Sequence, residues 1–155
     1  MPELYLRKAR IQDVKAIHGL LMECARREML LPRSYTELYS HLRDFYVLTR
    51  GDAKEVLGCC ALSICWDDLA EIRSLVVRDD VQKLGWGRKL VDACLSEAVT
   101  LGAFKVFTLT YQRDFFAKMG FIEVNKEKLP QKVWADCIRC PKFPECDEIS
   151  MLMEM

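Results

Sequence analysis

Gln82, Gly85 and Gly87 stand in the spacing QxxGxG, and Leu90, Val91, Cys94, Leu95, Ala98 and Leu101 follow them at helical intervals. The glycine-bearing loop therefore runs straight into an amphipathic helix. A helix start of this kind binds phosphate. Its first-turn amides have no helical partner, the dipole is positive there, and glycine removes the side chain that would hold a pyrophosphate off the backbone. Lys83, Arg88 and Lys89 add positive charge, and Leu84 and Trp86 complete the loop. Taken alone, the glycine pair also fits a tight connection that needs φ > 0 or close packing. No GxGxxG is present and no GKS or GKT follows, so neither the dinucleotide fingerprint nor the P-loop fits.

The elements that must position this loop follow from patterning. Leu69, Ile72, Leu75, Val76 and Val77 make a largely buried strand before it, and Phe104 to Thr110 a strand after its helix, the two joined as neighbours across a βαβ crossover. Leu4 to Arg10 reads as a first strand, and Val14, Ile17, Leu20, Leu21, Cys24 and Ala25 as a helix from about Gln12. Leu31-Pro32 breaks that helix. Ser34 with Glu37 is a capping box that starts a second helix at Tyr35, with Leu38, Leu42 and Phe45 along one face. Tyr46 to Thr49 and Val56 to Trp66 form a hairpin. A short helix, Gln112 to Met119, stops at Gly120, and Phe121 to Val124 and Met151 to Met155 are the last strands. The whole is an α/β chain, expected as one domain over residues 1–155 with a Cys- and Pro-rich loop at residues 125–150.

Glu71 in AEI on a strand, Gln82 to Gly87 opening a long helix, and Phe115-Phe116-Ala117-Lys118-Met119-Gly120-Phe121 downstream together resemble the acetyl-CoA-dependent GNAT acyltransferase superfamily over most of the chain. The resemblance implies a central, mixed, mostly antiparallel twisted sheet of about six to seven strands with helices on both faces. It also implies acetyl-CoA as co-substrate, held by Leu75, Val76 and Val77 of the strand and by residues 82–89. Leu129-Pro130-Gln131-Lys132-Val133-Trp134, the cysteine loop after it, Leu31-Pro32-Arg33-Ser34 and Glu71-Ile72-Arg73-Ser74-Leu75 are similar to the short bacterial N-acetylglutamate synthases within that superfamily. That subgroup implies acetyl transfer to the α-amine of L-glutamate in a ternary complex, in arginine biosynthesis.

Acyl transfer to an amine needs a base for the nitrogen, a donor for the thioester oxygen and a proton for the leaving thiolate. The resemblance makes Glu71 the base, directly or through a water, against the alternative of a surface carboxylate paired with Arg73. It makes the Leu75 or Val76 amide the oxyanion donor. Phe115 and Phe116 stand where the superfamily often carries a tyrosine, so Tyr111 is the nearest substitute acid, with aromatic packing as the competing role and solvent able to protonate a thiolate. Two substrate carboxylates call for paired guanidinium or ammonium groups. Arg73 shares the face of Glu71 by period-two alternation, and the resemblance implies Arg33 and Lys132 as further candidates.

Eight cysteines without an apolar signal region do not form a disulfide framework. Cys24, Cys59, Cys60, Cys65 and Cys94 read as small core residues. Cys137, Cys140 and Cys146 could offer three thiolates to zinc, with Asp136, Asp147 or Glu148 as a fourth ligand, but loop packing or a redox pair is preferred and no metal is expected. Lys plus Arg equals Asp plus Glu at 23 each, which gives no global pull toward nucleic acid or an anionic membrane. No apolar stretch spans a bilayer, and a cytoplasmic location is expected. An exposed edge at Met151 to Met155 would allow a homodimer. With no amino-acid-kinase segment ahead of the domain, feedback by arginine would have to use the domain itself. Two other classes compete: a GNAT enzyme for a polyamine or protein lysine, and a non-catalytic acyl-CoA sensor.

Overall fold

Ser34 and Glu37 show how locally this chain sets its helix ends. The Glu37 amide donates to the Ser34 hydroxyl at 3.1 Å, and the Ser34 amide donates back to the Glu37 carboxylate at 3.3 Å. This reciprocal cap starts a helix at Tyr35, as expected. The computed structural model describes residues 3–26, 33–51, 55–82, 84–129 and 148–155. Its elements are β1 (Leu4–Lys8), α1 (Val14–Arg26), α2 (Tyr35–Ser40), β2 (Phe45–Arg50), β3 (Val56–Trp66), β4 (Leu69–Val77), α3 (Trp86–Leu101), β5 (Lys105–Thr110), α4 (Arg113–Lys118), β6 (Ile122–Glu123) and β7 (Ile149–Glu154). The strands form one seven-stranded sheet in the order β1-β2-β3-β4-β5-β7-β6. Pairs β1–β2, β2–β3, β5–β7 and β6–β7 are antiparallel, whereas β4 and β5 run parallel with α3 between them in the chain.

Two expectations change. The second helix stops at Ser40, and Phe45 opens β2 after a 3-10 turn over Leu42–Asp44. The C-terminal strand is not an edge. It sits between β5 and β6, pairing with β5 along Lys105 to Thr110 and with β6 at Ile122 and Glu123. Among the described residues the outermost strands are β1 and β6, and the edge expected free at Met151 to Met155 is covered by β6 at Met151 and Leu152.

The contacts divide the chain into two compact units, Met1–Leu62 with Ile72–Glu97, and Ser63–Glu71 with Ala98–Met155. In the first, Val14, Ile17 and Leu21 of α1 pack with Leu38 of α2, Val47 of β2 and Cys59 of β3. A second cluster of Leu48, Leu57 and Val81 takes in Leu4, Val77 and Trp86. Adjacent residues of β2 thus enter different clusters, and Val56 to Leu62 are all buried, as befits a strand covered on both faces. The guanidinium of Arg7 grips Asp13 through two bonds of 2.7 and 3.0 Å, and the Arg10 amide adds a third at 2.7 Å. In the second unit, Leu69, Phe107 and Leu129 pack with Cys65, Leu109 and Leu152. The Phe-rich segment there is a helix stop. Gly120 takes φ +103°, the Phe121 amide donates to the Phe116 carbonyl and the Gly120 amide to that of Ala117, and the Phe116 and Phe121 rings meet at 5.2 Å.

Candidate active site

The loop between β4 and α3 is shaped by its own residues. The Gln82 side-chain amide donates to the Val77 carbonyl at 2.7 Å and to the Asp79 carboxylate at 3.1 Å, which ties the loop to the end of β4. Gly85 takes φ +85°, and its carbonyl accepts the first helical bond, from the Lys89 amide at 3.2 Å. Apart from its chain neighbours, no heavy atom of the described residues lies within 4 Å of where a Gly85 Cβ would stand, so the backbone faces open space at the start of a 16-residue helix. This fits a phosphate approaching first-turn amides. Gly87, by contrast, lies inside the helix. Trp86 packs into the Leu48–Leu57–Val81 cluster, and the Lys89 ammonium stands 4.2 Å over its ring. Arg88 is exposed and Leu84 strongly so, while Lys83 lies outside the described residues.

Burial alternates along β4, with Glu71, Arg73, Leu75 and Val77 half-buried and Ala70, Ile72, Ser74 and Val76 buried. Pairing with β5 covers Leu69, Ala70 and Glu71, and β4 then runs on to Val77. Ser74 has φ +58°, unusual for a residue with a Cβ, and it directly precedes Leu75 and Val76. Such a twist re-aims the amides that follow it. Tyr111 is partly buried in the bend after β5, where the Gln112 amide donates to the Thr110 hydroxyl.

Arg33 and Arg73, far apart in sequence, line one recess together with Glu37, His41 and the apolar side chains of Leu38 and Phe45. Arg33 lies 3.5 Å from the Glu37 carboxylate. Burial alone would raise the Glu37 pKa, but the Ser34 amide and the Arg33 charge hold it below its ordinary value. Asp44 goes the other way: burial pushes it up, against the pull of His41, Arg73 and Lys8. His41 Nδ1 is 3.7 Å from Asp44 Oδ2. Sequence reasoning found the two arginines and missed Glu37, His41 and Asp44. A signal existed, because Arg33, Glu37 and His41 recur every fourth residue, one helical face.

Lys132, Cys137, Cys140 and Cys146 lie outside the described residues. Among the described residues no group of three or more His, Cys, Asp or Glu could hold a metal ion. Among the described residues, Cys24, Cys59, Cys60, Cys65 and Cys94 are in no disulfide. Burial pushes Cys59 well up, and a hydrogen bond with the Cys94 thiol, followed by burial, does the same to Cys60. Among the described residues no helix is long and apolar enough to cross a membrane.

Residues 41–123 match the acetyltransferase (GNAT) domain family. The chain is 41% identical to an uncharacterized N-acetyltransferase of Chlorobaculum tepidum over 148 residues, which span 95% of this chain and 94% of that one. The chain belongs to the GNAT acetyltransferase family and is an acyltransferase that uses acetyl-CoA. Within the family it is similar to amino-acid acetyltransferases: it is 35% identical to the one from Mycobacterium tuberculosis, over 86% of this chain and 77% of that. A crystal structure from M. tuberculosis in complex with CoA and NLQ superposes with a TM-score of 0.83 at 30% identity, covering 97% of this chain and 99% of the other.

Proposed function

We propose that this protein acetylates the α-amine of L-glutamate, as a single catalytic domain acting in the cytoplasm on the path to arginine. The observation that carries the reading is the recess shared by Arg33 and Arg73, with Leu38 and Phe45 on its wall. Two guanidinium groups around an apolar surface complement a ligand with two carboxylates joined by methylenes. The kinship with amino-acid acetyltransferases supports the same acceptor class.

Acetyl-CoA supplies the acyl group as a thioester, whose oxygen gains charge as the amine adds. Glu71, two residues before Arg73 on β4, takes the proton of the ammonium, directly or through a water. The Leu75 or Val76 amide, just beyond the left-handed Ser74, donates to the developing oxyanion. Tyr111 or solvent returns a proton to the thiolate. The amides at Gly85 to Arg88, with the Arg88 side chain, hold the pyrophosphate.

Release of CoA thiol, followed against a panel of amino acids, polyamines and a lysine peptide, tests the reading. Turnover confined to L-glutamate and lost in Arg73→Ala is the expected result. Turnover of a cationic amine alone, or none with acetyl-CoA still bound, would overturn it.

A further inference from the structure

Cys59 of β3, wholly buried in the cluster that α1 and α2 build, has no part in the roles assigned above. Its thiol donates to the Ser74 carbonyl on β4 at 3.4 Å. In a regular ladder a carbonyl lies in the plane of the sheet and bonds to backbone, whereas a side chain stands roughly perpendicular to that plane. A thiol that reaches the Ser74 carbonyl therefore meets a carbonyl turned out of the ladder, at a residue whose backbone is left-handed, φ +58°. Four residues on, the two strands are joined by backbone: the Arg78 amide donates to the Leu57 carbonyl at 2.8 Å. A buried carbonyl needs a partner, so the thiol stabilises the backbone conformation that brings Ser74 to it.

The consequence falls on the next residue. The Ser74 carbonyl and the Leu75 amide are the two ends of one planar trans peptide, so a bond that fixes the first fixes the direction of the second. The Val76 amide is directed at the Cys59 sulfur. Of the two amides named above as oxyanion donors, Val76 is thus engaged at Cys59, and Leu75 is the one whose aim the thiol sets.

We propose that Cys59 is a positioning residue for acyl transfer: its thiol holds the Ser74 carbonyl and so aims the Leu75 amide at the thioester oxygen. The proposal rests on the reading of that amide as the oxyanion donor, and it is independent of which amine accepts the acetyl group.

Single-turnover rates of acetyl transfer from saturating acetyl-CoA to L-glutamate, or to the amine that the panel above identifies, test it, with both KM values and the melting temperature measured alongside. Two substitutions remove the donor, Cys59→Ala by leaving space and Cys59→Val by filling it, while Cys59→Ser keeps a hydroxyl. Each donorless variant should slow transfer about tenfold, a part of the ~10²- to 10³-fold that follows loss of an oxyanion donor. Either KM should move by about twofold or less. Cys59→Ser should recover most of the rate. Cys60→Ala, as buried on the same strand, should lower the melting temperature and keep a rate within about twofold of wild type. Exchange of the Leu75 amide for an ester, by incorporating the α-hydroxy acid at that position, should cost ~10²-fold or more. Donorless variants no slower than Cys60→Ala, or a Cys59→Ser no faster than Cys59→Ala, would overturn the role of Cys59, while a slow ester variant keeps Leu75 as donor. A fast ester variant would sink the donor reading and this proposal with it, as would a wild type that transfers acetyl to no amine.

Discussion

Gly58 of β3 and Val76 of β4 approach so closely that a Cβ on Gly58 would stand 2.9 Å from the Val76 carbonyl oxygen, and 3.4 Å from the Val77 Cα. Both obstacles are backbone, which cannot turn aside. Gly58→Ala should therefore push on β4 at the stretch proposed to present the oxyanion donor. The expected cost is about 1–3 kcal/mol, seen as a lower melting temperature, with a fall in kcat larger than any rise in the glutamate KM. Unchanged stability and kcat would show that β4 adjusts freely there.

Gly85 is a different case, since its position is strained for a side chain but not crowded. Gly85→Ala should cost about 1 kcal/mol of backbone strain and raise the KM for acetyl-CoA, because the new methyl group would stand where the phosphates are proposed to approach. The glutamate KM should hold. Parallel titrations of the two substrates separate the effects.

Asp13, only 2% exposed, owes its ionised state to Arg7 and the Arg10 amide. Burial alone would raise its pKa, but those partners bring it below its ordinary value. A folded-state pKa below the unfolded one, about 3.9, gives stability that is present above that unfolded value and is lost as pH falls through the folded one. Asp13→Ala should destabilise the fold by about 3 kcal/mol near neutrality and flatten the acid limb of a stability profile. Chemical denaturation across that range reads both.

Tyr46 donates its hydroxyl to Glu97 at 3.0 Å. Burial, then that bond and the Glu97 charge, push its pKa up to about 12. Unfolded tyrosine ionises near ~10, so the folded state holds a proton the unfolded state has released. Stability should thus be full below that value and decline as pH rises toward 12. Tyr46→Phe should remove this slope, and with it a late-titrating phenol in the phenolate absorbance.

Much of this architecture is legible residue by residue. The Ser34–Glu37 cap, the left-handed glycines at 85, 102 and 120, and the apolar stripe of Leu90, Val91, Cys94 and Ala98 are short-range features. Each depends on neighbours within a turn or two, so spacing alone reveals it. The parallel pairing of β4 with β5 also follows, because α3 lies between them and a crossover is required. Leu101 marks the limit: its spacing belongs to the buried stripe, but it is 58% exposed at the end of α3.

The amino-acid sequence by itself determined where α2 begins and α4 stops, which strand positions are apolar, and that a glycine loop meets a helix start. Tertiary structure alone decided that β7 enters the sheet between β5 and β6, that Gly58 must be small, and that Arg33 meets Arg73 beside His41 and Asp44. The physical reason is range. Caps and turns are bonded between residues a few positions apart, whereas strand order and pocket partners are selected by which distant surfaces exclude water together.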